Sequence, residues 1–242
     1  LGLGDSVING GVLTDQKKLA TSILSKGLTK IYNQKVQFLN VSSGSWGPDN
    51  CYAYIKKNGH FNAKLIVLFV SSHDAYDEME FKEVVGIHKS HPQKQYLLAV
   101  YELFDRYLYP KISEILSKEK VNDGSFLGIN KKLLDRKFNS GFSNILNYSK
   151  INNIPMIIYL HAEKGELNTG KYNKQGVKII KFAKENNILI IKALENKFNN
   201  TDYRDNIHLS LKGQKKMAKI ILGKYKKELK PKHQIFRPKL NK

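Results

Sequence analysis

A single cysteine, Cys51, stands among the 242 residues, so no intrachain disulfide can brace the fold, and cysteine pairing says nothing of the redox compartment. A solitary cysteine is expected to be a small buried hydrophobe. Long apolar runs are missing too. The longest, Leu65 to Val70 and Ile188 to Ile191, fall far short of the roughly 20 residues a membrane-spanning helix needs, and they fit buried strands instead. Acidic residues are scarce. Asp and Glu number 21 against 41 Lys and Arg, a formal net charge of +20. Such an excess fits a polyanionic partner, through counterion release. Arginine, however, is nearly absent: Arg106, Arg136, Arg204 and Arg237 are the whole set. Bidentate phosphate and base-edge recognition favours the guanidinium fork, so a specific nucleic-acid partner is not expected. The lysines are spread along the chain and fit solvated helix faces, with an acidic glycan as the partner class a cationic surface leaves open.

The chain opens on Leu1-Gly2-Leu3, which reads as the end of a strand with no charged-then-apolar leader before it. Upstream residues are expected to have been trimmed, which leaves a cytoplasmic and an exported location both open. With 41% hydrophobic and 26% charged residues the composition is that of a globular protein, and the length fits one α/β domain. Short aliphatic runs alternate with amphipathic stretches. Leu1–Leu3, Val36–Val41, Leu65–Val70, Ile154–Leu160 and Ile188–Ala193 read as strands, while Thr14–Tyr32, Lys94–Leu116, Lys131–Lys150, Gln175–Glu185 and Ser210–Leu229 carry helical spacing, with a break at Pro110. The pattern predicts a three-layer α/β/α sandwich on a five-stranded parallel sheet, a domain over residues 1–229. A helical insertion is expected over about 75–140, with Tyr96, Tyr101, Phe104, Tyr107 and Tyr109 as the core of an added layer. Residues 230–242 read as a loosely held basic tail.

In open α/β sheets reactive groups collect at the carboxyl ends of strands. After the first strand stands Gly4-Asp5-Ser6-Val7-Ile8-Asn9-Gly10-Gly11, where a tight turn leaves Ser6 near the head of a helix. There its hydroxyl is presented outward, and its own N–H can serve an oxyanion beside the positive helix end. A dinucleotide-binding turn is the rival reading of Gly2-x-Gly4, but Val7 stands where the third glycine belongs and Asp5 would repel a pyrophosphate. Towards the other end, Asp205-Asn206-Ile207-His208 puts a carboxylate three residues before a histidine, just ahead of a helix capped by Ser210. Asp205 can orient His208 through Nδ1–H and leave Nε2 for Ser6. Alone, the first motif fits a plain capping serine and the second a surface ion pair.

In combination these blocks resemble the SGNH or GDSL family of serine hydrolases, which carries Gly-Asp-Ser first and Asp-x-x-His last. The resemblance spans the chain from Gly4 to the terminal helix and implies a flavodoxin-like sheet with Ser6, Asp205 and His208 as catalytic triad. It implies that Asn40-Val41-Ser42-Ser43-Gly44 supplies an oxyanion N–H from Gly44, with Gly47 as the fallback. The third block of the family, Gly-x-Asn-Asp, is altered here to Ser71-Ser72-His73-Asp74, so His73 stands where an asparagine donor is usual. The oxyanion hole is then expected from Ser6, Gly44 and His73. Trp46 and Asp74 are candidate pocket residues, and His161 at the end of the fourth strand is expected to be structural. The implied activity is hydrolysis of a small acyl ester, acetyl above all, on a carbohydrate. The alternatives are O-acyl transfer to a glycan, and glycan binding by a catalytically impaired member. No cofactor is implied, and the histidines show no spacing suited to a metal-ligand set.

Overall fold

Polar residues do not alternate with apolar ones in the two central strands, because both faces of each are covered. β3 (Ile66–Val70) and β4 (Met156–Leu160) are buried at every position. The computed structural model describes residues 1–11, 14–79, 85–86, 93, 95–109, 111–112 and 137–229. Among them, β1 (Gly2–Gly4), β2 (Asn40–Ser42), β3, β4 and β5 (Leu189–Lys192) form an all-parallel sheet in the order β2-β1-β3-β4-β5. This is the doubly wound order in which the chain reverses direction across the sheet beside β1 and opens a crevice at the strand ends. The helices are α1 (Ser6–Asn9), α2 (Ala20–Tyr32), α3 (Pro48–Asn58), α4 (Ala99–Leu103), α5 (Gly141–Ile151), α6 (Lys164–Thr169), α7 (Lys174–Glu185) and α8 (Leu211–Lys224).

The period of two along β3 divides the core. Val67 and Phe69 join Ala20 and Leu24 of α2 and Met217, Ala218 and Ile221 of α8 on one face. Ile66, Leu68 and Val70 meet Cys51 and Ile55 of α3, Phe142 and Ile145 of α5 and Ile179 of α7 on the other. Three layers result, with Cys51 buried as expected. The chain divides into two compact units, Leu1–Met79 with Lys137–Lys242, and Glu80–Arg136. In the second, α4 runs into a wider turn over Phe104–Leu108, and Tyr101, Phe104, Tyr107 and Tyr109 are exposed, so these rings do not make the buried layer expected of them. Pro110, the stretch 131–136 and the tail 230–242 lie outside the described residues.

Several element bounds differ from the pattern in the sequence. The second strand is only Asn40–Ser42, because the backbone of the preceding run is claimed by α2. Thr29 Oγ1 accepts the Val36 N–H at 3.0 Å, and Ser25 Oγ accepts that of Phe38 at 2.8 Å. The helix expected from Thr14 begins at Ala20, since Leu19 is extended behind a short 3-10 turn, Gln16–Lys18. α3 has no counterpart among the predicted elements. Only Pro48, Cys51 and Ile55 of its eleven residues are buried, so the apolar stripe is thin; Pro48 at its first position and Asp49 in its first turn were the available signals.

Candidate active site

β1 ends against β3, and this close packing shapes the turn that follows: a Cβ on Gly4 would lie 3.1 Å from the Phe69 carbonyl oxygen. Asp5 then caps α1, its carboxylate accepting the Val7 N–H at 2.8 Å. Gly10 closes α1 in the left-handed conformation at φ 77°. A serine fixed at the first position of so short a helix has its hydroxyl at the mouth of the strand ends.

The Asp205–His208 turn comes to the same place. Oδ1 of Asp205 accepts the N–H groups of Ile207 at 3.0 Å and His208 at 2.7 Å. Its Oδ2 lies 2.7 Å from His208 Nδ1, and His208 Nε2 lies 2.9 Å from Ser6 Oγ. A carboxylate only accepts, so the ring proton sits on Nδ1, and Nε2 is left to accept from the serine hydroxyl. The three residues read as a triad from sequence are therefore joined in one hydrogen-bonded chain, across 202 positions between serine and histidine. The cost of burying Asp205 is outweighed by the His208 and Ile207 N–H groups and the His208 ring, which hold its carboxyl down to about 2.

Two residues with no catalytic reading in the sequence anchor this turn. His161 Nε2–H donates to the Ile207 carbonyl at 2.7 Å, and its ring packs on Tyr203. Burial pushes His161 down to about 4, so it is a neutral structural donor as expected. The Lys164 N–H donates to the Asn206 carbonyl at 2.9 Å. Gln214, buried on α8, accepts the Ala20 N–H at 2.9 Å and donates to the Val7 carbonyl at 3.1 Å, tying the terminal helix to α1 and α2. Only its place on the buried face of a predicted helix hinted at Gln214, because its partners lie about two hundred residues away in the chain.

On the opposite side, β2 is bound to α1 by two amides: Asn40 Nδ2–H donates to the Ile8 carbonyl at 2.8 Å, and Asn9 Nδ2–H to that of Ser42 at 3.1 Å. Gly44 follows in the exposed turn, with open space where a Cβ would be. Gly47 cannot replace it as an oxyanion donor. It is buried at the head of α3 and its N–H is given to Asn50 Oδ1 at 3.0 Å. Trp46 is half-buried, its ring centroid 5.7 Å from that of Tyr54.

The third block forms a 3-10 turn, Ser72–Ala75. Asp74 is buried and its Oδ2 accepts the Ser71 N–H at 2.6 Å, so it shapes the turn and does not line a pocket. His73, 42% exposed in its side chain, turns Nδ1 to Glu163 Oε1 at 3.0 Å and has Nε2 4.0 Å from Asp74 Oδ1. Asp5, His73 and Asp74 each bring one side-chain atom within 4.8 Å of the others. This trio has the composition of a cation site. Desolvation raises the Asp5 and Asp74 carboxyls above the ordinary range; at Asp5 the Val7 N–H counters it first and the His73 ring next, and at Asp74 the His73 ring does so first. Burial disfavours the His73 cation, but its Nδ1–H bond to Glu163 and the charges of Asp74, Glu163 and Asp5 lift His73 to about 9.

No protein-family model matches the sequence, and no curated protein does. Solved structures do match in fold. TesA aligns with a TM-score of 0.56 at 10% identity, over 93% of this chain and 96% of its own. A member of the lipolytic protein G-D-S-L family from Veillonella parvula gives 0.51 at 11% identity, over 93% and 97%. A family 3 carbohydrate esterase of Clostridium thermocellum gives 0.50 at 15% identity, over 93% and 92%. The chain has the SGNH/GDSL hydrolase fold.

Proposed function

We propose that this protein is a serine-dependent ester hydrolase of the SGNH/GDSL type, acting on a small acyl ester, with acetyl on a carbohydrate as the preferred class. The observation that carries the reading is the continuous chain Ser6 Oγ, His208 Nε2, His208 Nδ1, Asp205 Oδ2, with links of 2.9 and 2.7 Å. Ser6 attacks the acyl carbonyl while its proton passes to His208 Nε2, and Asp205 steadies the imidazolium so formed. The tetrahedral oxyanion is met by the Ser6 and Gly44 N–H groups and by His73. As the intermediate collapses, His208 returns the proton to the departing alcohol, leaving Ser6 acylated. Water, deprotonated by the same histidine, then releases the acid. A sugar hydroxyl in place of that water would make the same residues an O-acyltransferase.

Of the three solved structures described above, one is called a carbohydrate esterase, and this supports the sugar ester as first substrate to try. The test is acetate release from p-nitrophenyl acetate and from acetylated oligosaccharides. The wild type is expected to exceed Ser6→Ala and His208→Ala by roughly 10⁴-fold or more, and to take up a fluorophosphonate at Ser6. Equal rates in all three, with no labelling, would overturn the reading in favour of a binding protein.

A further inference from the structure

We propose that Glu163 is a positioning residue that keeps His73 as an imidazolium, so that the oxyanion formed at Ser6 is met by the Nε2–H of a cation. This rests on the serine-hydrolase reading above and adds to it a residue and a charge state.

The geometry starts from Nδ1. His73 Nδ1 faces Glu163 Oε1 at 3.0 Å, and the hydrogen bond from His73 holds the Glu163 carboxyl below its ordinary range despite its partial burial. An ionised carboxylate only accepts, so the proton at this contact belongs to Nδ1. A neutral His73 would then carry a lone pair at Nε2, the atom 4.0 Å from Asp74 Oδ1, and could not donate to an oxyanion from it. Only the doubly protonated ring can donate there. An oxyanion-assisting His73 and its contact with Glu163 are thus compatible in one charge state alone.

The surroundings favour that state from three directions. Asp5 comes from the end of β1, one residue before the nucleophile. Asp74 comes from the same turn as His73, its Oδ1 at 4.0 Å from Nε2, buried and without a hydrogen-bond partner. Glu163 comes from the loop after β4. His161 on that loop is held neutral by burial and adds no opposing charge. Asp77 and His208 stand one step further out, acting on Asp74 and Asp5 respectively. α7 meets the turn through Gly176, where a Cβ would collide with Ser72 Oγ, and through Lys178 over the Tyr76 ring. Ser72 in turn donates to Glu166 Oε1 at 2.5 Å, and the second oxygen of Glu166 accepts the Glu163 N–H at 3.1 Å, which fixes the loop carrying Glu163 relative to the turn carrying His73.

A charged donor makes its contribution titrate. His73 holds its proton until about 9, so assistance is present through neutral pH and fades as pH rises past that value. Glu163→Gln keeps an acceptor for Nδ1–H and removes the charge, so His73 should lose its proton at distinctly lower pH. Esterase kcat/KM of Glu163→Gln is expected to approach wild type near pH 6 and to fall about 10- to 100-fold below it near pH 8.5, through kcat more than KM. In a His73→Asn background, where the donor is neutral, Glu163→Gln should have no pH-dependent effect. Nitrogen-15 resonances of the histidine rings, with His73 assigned from its loss in His73→Asn, should show the His73 titration move down in Glu163→Gln.

A mutant-to-wild-type ratio that is the same at both pH values, or an unmoved His73 titration, overturns the proposal. A Glu163 effect that persists in His73→Asn overturns it as well, by making Glu163 a general structural residue. Should Ser6→Ala match wild type in turnover, the hydrolase reading fails while the ring titration still decides the Glu163–His73 pairing.

Discussion

On the His208 side of Ser6 the orienting carboxylate, Asp205, is 47% exposed, and its hydrogen bonds go to residues within three positions of itself. On the His73 side the carboxylates of Asp5 and Asp74 are buried, and the histidine between them is held by a residue 90 positions away. The first arrangement is a local turn that water can reach. The second is a long-range charge network in which the Asp5 and Asp74 carboxylates are buried while His73 and Glu163 reach solvent, and each member fixes the protonation of the others. An exposed relay can lose a charge and keep its fold, whereas a buried network that loses a charge leaves the remainder unbalanced.

The contrast is sharpest at the two aspartates. Asp205→Asn is expected to lower kcat by roughly 10⁴-fold, since an amide no longer fixes the His208 tautomer. Its thermal midpoint should fall only modestly, since an amide oxygen can still accept the Ile207 and His208 N–H groups and the charge lost is partly screened by water. A large fall in melting temperature would break the comparison.

The pH dependence of folding separates the sides next. His161 takes a proton at about 4 in the folded state, against its usual 6.5, so the folded protein resists a proton that the unfolded chain accepts. Its contribution is full above 6.5 and is lost as pH falls towards 4, on the order of 3 kcal/mol. His73, raised to about 9, has the opposite sign: its contribution is full below 6.5 and is lost as pH rises through 9. Melting curves across both windows should flatten on the acid side in His161→Phe and on the alkaline side in His73→Asn. The same slope in variant and wild type would refute the assignment for that residue.

Gly44 tests the exposed rim. Gly44→Ala should retain activity, because a Cβ there meets open space. Gly44→Pro removes the N–H and should cost about 10²-fold or more in kcat with the fold intact. Equal rates for the two would remove Gly44 from the oxyanion hole. The last test is at Asp74: Asp74→Ala orphans the buried Ser71 N–H and removes a charge facing His73, and should cost about 1–3 kcal/mol of stability by chemical denaturation, of which Asp74→Asn restores the part owed to the Ser71 N–H but not the part owed to the charge.

What could be read from sequence follows the same division. Ser6, Asp205 and His208 were legible because each lies in a short motif at a predicted strand or helix boundary, and the Asp205–His208 contact is itself local. The strands β3 and β4 were legible because a short, unbroken aliphatic run between polar flanks suits a strand covered on both faces and is too brief for a buried helix. Glu163 and Gln214 were not, since an acid or an amide acquires its role from a partner that only the fold brings near. The second strand was overextended for a related reason: Val36 and Phe38 have the side chains of a strand, yet two hydroxyls of α2 take their N–H groups. α3 went unseen because few of its side chains face the core.

Gln214 joins α8 to α1 and α2 with one amide, on the face of the sheet that also carries Ser6. The hydrogen-bonded chain has one long-range joint, Ser6 to His208, and that joint closes only when the Asp205–His208 turn and α8 have seated against α1. On the proposed esterase reading, turnover doubles as a proximity sensor. During refolding, catalytic signal is expected to return with the seating of α8 and to lag behind assembly of the sheet, and Gln214→Ala should widen that lag more than it slows the finished enzyme.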